Sequence, residues 1–152
     1  DIEADVRPAK INQDVTFHYN VKLNKESFTE GDILEIKINT SKKMYMAIFQ
    51  WLPYADKKEG QVTKIFPNEK FNKIGTNNNN DDLIEKNATL KYKVVFPNNI
   101  KMKQVDEYLV FVASERQIPW LDEYVEIESL KRQLNKQNIL MEKHVAGYIV
   151  FN

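Results

Sequence analysis

The chain has 152 residues, with 22 Lys and Arg matched by 22 Asp and Glu, two His and no Cys. A chain of this length suits one domain spanning 1–152 and buries roughly 68–70% of its unfolded surface, so it folds without disulfides or metal staples. The neutral balance argues against nucleic acid as the main partner, missing Cys removes thiol chemistry, and no apolar run approaches the ~20 residues needed to cross a bilayer. With His18 and His144 alone, a multi-histidine metal site is excluded, and no cofactor is called for. The chain begins at Asp1 rather than Met, as expected of a processed or truncated form, and a Cys-free composition fits an oxidising compartment.

Val15–Leu23 alternates, with Val15, Phe17, Tyr19, Val21 and Leu23 on one face and Thr16, His18, Asn20 and Lys22 on the other. This is the pattern of a half-buried antiparallel strand. Thr29-Glu30-Gly31-Asp32 supplies a turn whose Gly takes positive φ at little cost, and Ile33–Asn39 alternates again to complete a hairpin-like pair. Met44–Leu52 is apolar on both faces, as a central strand covered from both sides would be. Pro53 stops it, Tyr54–Gly60 is a charged loop, and Gln61–Phe66 is a short strand ended by Pro67, which cannot donate to a ladder.

Asn68–Lys86 is expected to be one long exposed loop. Leu90–Phe96 then turns Leu90, Tyr92, Val94 and Phe96 inward, and Tyr108–Ser114 is a second strand apolar on both faces. A helix is expected at about 122–135, capped by Asp122, with Tyr124, Ile127, Leu130 and Leu134 along one face. Acids lead it and bases follow, which complements the helix dipole. A last strand covers about 145–151. About seven short strands with turn signals between them and one late helix indicate a mainly β fold, an immunoglobulin-like antiparallel β-sandwich.

Few side chains carry a chemical signal. Glu26, Glu30, Asp32 and Glu35 cluster around the first hairpin as a solvated charged turn, and both histidines fall on polar positions. No Gly-x-Ser-x-Gly elbow exists, and the run Asn77–Asp82 lacks the Gly and terminal Glu spacing of an EF-hand. Trp51, Tyr54 and Trp120 lie at strand ends or in loops, where rings can stack on a sugar or grip a peptide; core burial competes for Trp51, and anchoring of the helix for Trp120. Asn87-Ala88-Thr89 is a glycosylation sequon with Glu85 at the minus-two position, and Asn39-Thr40-Ser41 is a second.

Several segments taken together resemble a bacterial family, domain of unknown function 4384. They are Phe28-Thr29-Glu30-Gly31-Asp32, Leu34–Ile38, Met44-Tyr45-Met46-Ala47-Ile48-Phe49, Gly60, Lys64-Ile65-Phe66-Pro67-Asn68 and Tyr108–Ser114, a match over about 15–120. Gly75-Thr76 departs from the small-Gly pair common in the family. The resemblance implies a non-catalytic accessory module, attached to caspase-like peptidases or kinases, or set within envelope and flagellum-associated lipoproteins. It carries no catalytic residues. The expectation is therefore a protein-binding or assembly module in the periplasm or at the cell surface, partnered by an envelope protein or its own parent polypeptide. A carbohydrate- or peptide-binding domain using Trp51, Tyr54 and Trp120 is the alternative, and a carboxylate-dependent hydrolase a remote one.

Overall fold

The computed structural model describes residues 17–56, 60–68, 82–118 and 126–152. Trp120, the Asn-rich run 77–81, Gly75-Thr76, and the expected helix start at Asp122 and Tyr124 lie outside these residues. Among the described residues nine strands and one helix follow in order: β1 (Tyr19–Leu23), β2 (Ser27–Thr29), β3 (Ile33–Thr40), β4 (Met44–Trp51), β5 (Val62–Phe66), β6 (Leu83–Ile84), β7 (Asn87–Lys93), β8 (Gln104–Ser114), α1 (Ile127–Asn135) and β9 (Met141–Phe151). A smaller sheet has the order β1-β3-β7, and a larger one the order β2-β9-β8-β4-β5, with β6 paired to β4. The chain is thus a mainly β, sandwich-like fold with a single described helix near its C-terminal end, as the alternation implies.

Period-2 side-chain alternation builds the main core between the sheets. From the smaller sheet come Leu34, Ile36, Ile38 and Leu90; from the larger come Met44, Met46, Ile48, Leu109, Phe111 and Val150. Each such side chain contributes roughly 1.5–3 kcal/mol on leaving water. The opposite face of β4 also buries, since Ala47 and Phe49 join Val62, Val110, Val112, Leu130 and Leu134 in a second cluster beneath α1. β4 is therefore central and covered on both sides. The spacing of Leu130 and Leu134 sets the buried stripe of the helix, with Ile127 packed at its margin.

The first turn forms as its residues dictate. The Asp32 amide donates to the Thr29 carbonyl at 3.0 Å, the Thr29 amide donates to the Asp32 carboxylate at 2.9 Å, and Gly31 takes φ 93°. The Thr29 amide and Lys25 hold the Asp32 carboxyl below its ordinary pKa.

Three expectations need correction. There are nine described strands rather than about seven, because β2 is a three-residue strand and β6 interrupts the expected long loop. The pairing is not wholly antiparallel: β2 runs parallel to β9, with Ser27 opposite Ile149. β9 starts at Met141 rather than near residue 145, because its polar beginning, Glu142–His144, still pairs with β8. Pairing partners, invisible to local periodicity, decide all three.

Candidate functional site

β8 is longer than its apolar stretch. It begins at Gln104, so alternation carries the inward row from Phe111 and Leu109 back to Glu107 and Val105. The Glu107 side chain, on a residue only 4% exposed, therefore enters an apolar core. Three polar side chains meet it there. The Tyr54 hydroxyl donates to Oε2 at 2.5 Å, and the Tyr148 hydroxyl donates to Oε1 at 2.8 Å. Gln50 Nε2 donates to the Tyr148 oxygen at 3.0 Å and reaches Glu107 Oε1 at 3.5 Å.

Burial raises the pKa of the Glu107 carboxyl above its ordinary value, and the two tyrosine donors offset only part of that rise. Burial and the adjacent carboxyl likewise push the Tyr54 and Tyr148 hydroxyls upward. A buried acid saturated by protein donors has little access to substrate. Its role is to tie the segment after β4 to β8 and β9.

The other side of the same strand end faces outward. Register places Trp51, Tyr108 and Gly147 in one row across β4, β8 and β9. The Trp51 and Tyr108 rings lie 5.0 Å apart at 33°. Tyr108 leans over Gly147, where an added Cβ would sit 2.9 Å from its Cε1, so only glycine leaves room for the ring. Trp51 Nε1 is buried and finds no acceptor among the described residues. Beside this shelf opens a cavity of about 210 Å³ lined by Glu26, Asp106, Tyr108, Gly147, Tyr148 and Ile149.

The shelf adjoins a strand edge. The Ile149 amide donates to the Glu26 carbonyl at 3.0 Å, and β2 covers only Ile149–Phe151 of β9. Successive residues of a strand direct their backbone groups to opposite sides, so Lys143, Val145 and Gly147 share the direction of Ile149. They form an edge without a strand partner among the described residues. Val145 on that edge is 54% exposed.

The sequence candidates do not converge. Trp51 packs at the margin of the cluster beneath α1, whereas Tyr54 packs against the core between the sheets, so the two lie on opposite sides of the larger sheet and share no platform. Trp120 lies outside the described residues. Asn87 is exposed at the first residue of β7, directly opposite the second sequon residue Asn39. His18 and His144 are both exposed. Glu35 is half-buried between Lys37 and Lys91, at 3.9 and 3.8 Å.

Among the described residues no three His, Cys, Asp or Glu side chains gather as a metal site, and no helix is long and apolar enough to cross a membrane. Glu107, Tyr148, Tyr108 and Gly147 were not singled out by sequence reasoning. Counting the alternation backwards from Leu109 would have placed Glu107 inward; nothing local marks Gly147.

No protein-family model matches the chain, and no curated protein matches it.

Proposed function

We propose that this chain is a non-catalytic module that binds an extended segment of a partner protein along the open edge of β9. The observation that carries this reading is the stretch Lys143–Gly147, whose outer edge has no strand partner among the described residues, beside the Trp51–Tyr108 shelf. A strand added to such an edge gains main-chain hydrogen bonds, and adjacent pockets select among its side chains. The Glu107 network supports the role by fixing β8 and β9 at this end of the sheet. The resemblance to domain of unknown function 4384 supports an accessory role, in the periplasm or on the surface of a bacterium, with an envelope protein or the parent polypeptide as partner. The Trp51–Tyr108 ring pair favours a second reading, a sugar or peptide ring stacked on the shelf.

The test is a displayed library of random extended peptides selected against the whole chain, with contacts mapped by amide chemical shifts. Val145→Pro removes an amide from the open edge while leaving the amides that face β8. The variant is expected to lose about tenfold in peptide affinity, the equivalent of one ~1.4 kcal/mol hydrogen bond, with little change in thermal midpoint. Equal binding by Val145→Pro, or shifts confined to β1 or β7, overturns strand addition on β9. Binding of an oligosaccharide array that depends on Tyr108, without any peptide binding, decides for the second reading.

A further inference from the structure

The cavity beside the open edge has a one-sided chemistry. Glu26, immediately before β2, and Asp106, on β8, both line it and both belong to exposed residues. Neither forms an ion pair with any described residue. Lys25, the base next to Glu26 in sequence, is engaged elsewhere: its Nζ meets the Asp32 carboxylate at 2.9 Å and lies 5.1 Å from the centre of the Phe28 ring. The rest of the lining is the Tyr108 ring, Gly147, Tyr148 and the Ile149 side of β9. Trp51 on one side and the bare Cα of Gly147 on the other set the position of the Tyr108 ring.

An aromatic ring beside two carboxylates that have no ion-pair partner among the described residues attracts cations twice over, through the ring quadrupole and through charge. An anion would meet two like charges there, and a purely apolar group would strip water from the carboxylates without replacing it. About 210 Å³ leaves room for the end of one long side chain.

Resting on the strand-addition reading, we infer that this cavity receives a basic side chain, the ammonium of Lys or the guanidinium of Arg, carried by the partner strand. The alkyl stem lies along Ile149 and Gly147 while the cation meets Tyr108, Asp106 and Glu26. The cavity is then a specificity pocket, and the edge of β9 supplies affinity that is indifferent to sequence.

The experiment uses the peptide selected against the whole chain, remade with Lys, Arg, norleucine or Glu at the position that most perturbs the Tyr108 and Asp106 signals. Lys and Arg are expected to bind about tenfold tighter than norleucine, the sum of one exposed cation–π contact and one exposed ion pair, and Glu weaker still. The double variant Glu26→Gln/Asp106→Asn is expected to cut that preference to the few-fold supplied by the Tyr108 ring alone, while leaving norleucine affinity unchanged. Norleucine equal to Lys on the unaltered chain overturns the inference, as does a preference undiminished in the double variant. A second arm titrates the chain with n-butylammonium and n-butylguanidinium chloride against sodium chloride of equal ionic strength. Shifts at Tyr108 with no peptide binding mean that the strand reading fails and the pocket stands; peptide binding without these shifts means the reverse.

Discussion

The Tyr54 hydroxyl meets Oε2 of Glu107 at 2.5 Å, across 53 residues of sequence. One contact thus joins the segment after β4 to an inward position of β8, and Tyr148 brings in β9 at the same carboxyl. A carboxylate alone in an apolar core would be costly, so the group shifts its pKa and is saturated by donors instead. The network fixes this end of the larger sheet, and the shelf and cavity lie on its other face.

Stability should therefore fall with pH where Glu107 is concerned. Its native pKa is raised above the unfolded value of about 4.5. Between those two values the unfolded chain has released the proton and the native one still holds it, so rising pH favours unfolding. The contribution is fully present below about pH 4.5 and is lost as pH climbs through the raised native value. Glu107→Gln keeps the shape and cannot ionise. Urea unfolding at a series of pH values should show this variant gaining on the unaltered chain as pH rises from about 4.5, then levelling. A difference that does not vary with pH rejects the account.

Tyr148→Phe removes one hydroxyl from the middle of the network. Gln50 Nε2 loses its 3.0 Å partner and Glu107 Oε1 its 2.8 Å donor, both in low-dielectric surroundings. The expected loss is about 1–3 kcal/mol. A double-mutant cycle with Tyr54→Phe should give a coupling energy of about 0.5–3 kcal/mol, since both hydroxyls serve one carboxyl. Additive effects would mean that the two tyrosines act independently.

Gly147→Ala tests the shelf. The new methyl would sit 2.9 Å from Tyr108 Cε1, and the Trp51 ring at 5.0 Å limits how far Tyr108 can turn away. Overpacking of this kind costs about 1–3 kcal/mol. Near-ultraviolet circular dichroism should report the altered ring pair. In a Tyr108→Ala background the same substitution should cost little, because the obstacle is gone.

Leu130→Ala tests whether α1 is part of the core. Leu130 is fully buried in the cluster with Phe49, Val110 and Val112, so truncation should cost about 2–5 kcal/mol. Lys131→Ala, on the exposed face next to it, should stay within ~0.5 kcal/mol. Comparable losses from both would place the helix outside the cooperative unit.

Much of this architecture is legible from local alternation. Phe17, Tyr19, Val21 and Leu23 do turn to one core, and Met44–Trp51 does bury both faces. Gly31 takes the positive φ that its turn requires. The parallel docking of β2 on β9 was not legible, because three residues carry no period and their partner comes from the far end of the chain. The candidate site was less legible still. A lone Glu in front of an apolar run looks like a strand end, and its inward register appears only once β8 is known to start at Gln104. Tyr54 looks like a loop aromatic until Glu107 gives it a reason to point inward.

The parallel pairing of β2 with β9 also bears on how the chain reaches this state. Ser27 and Ile149 must find one another across nearly the whole described sequence, with all but one of the other strands lying between them. Most pairings of the larger sheet span long stretches of chain in the same way, as Tyr45 with Ser114 does. Conformational entropy has to be surrendered before such contacts return anything, which places folding in the millisecond-to-second range, about that of other β-sandwiches, rather than among the microsecond folders. Stopped-flow refolding followed by Trp fluorescence measures that rate directly. Until β9 docks, β8 presents a bare hydrogen-bonding edge along its whole length, and any second chain that supplies a strand at that moment competes with the protein's own.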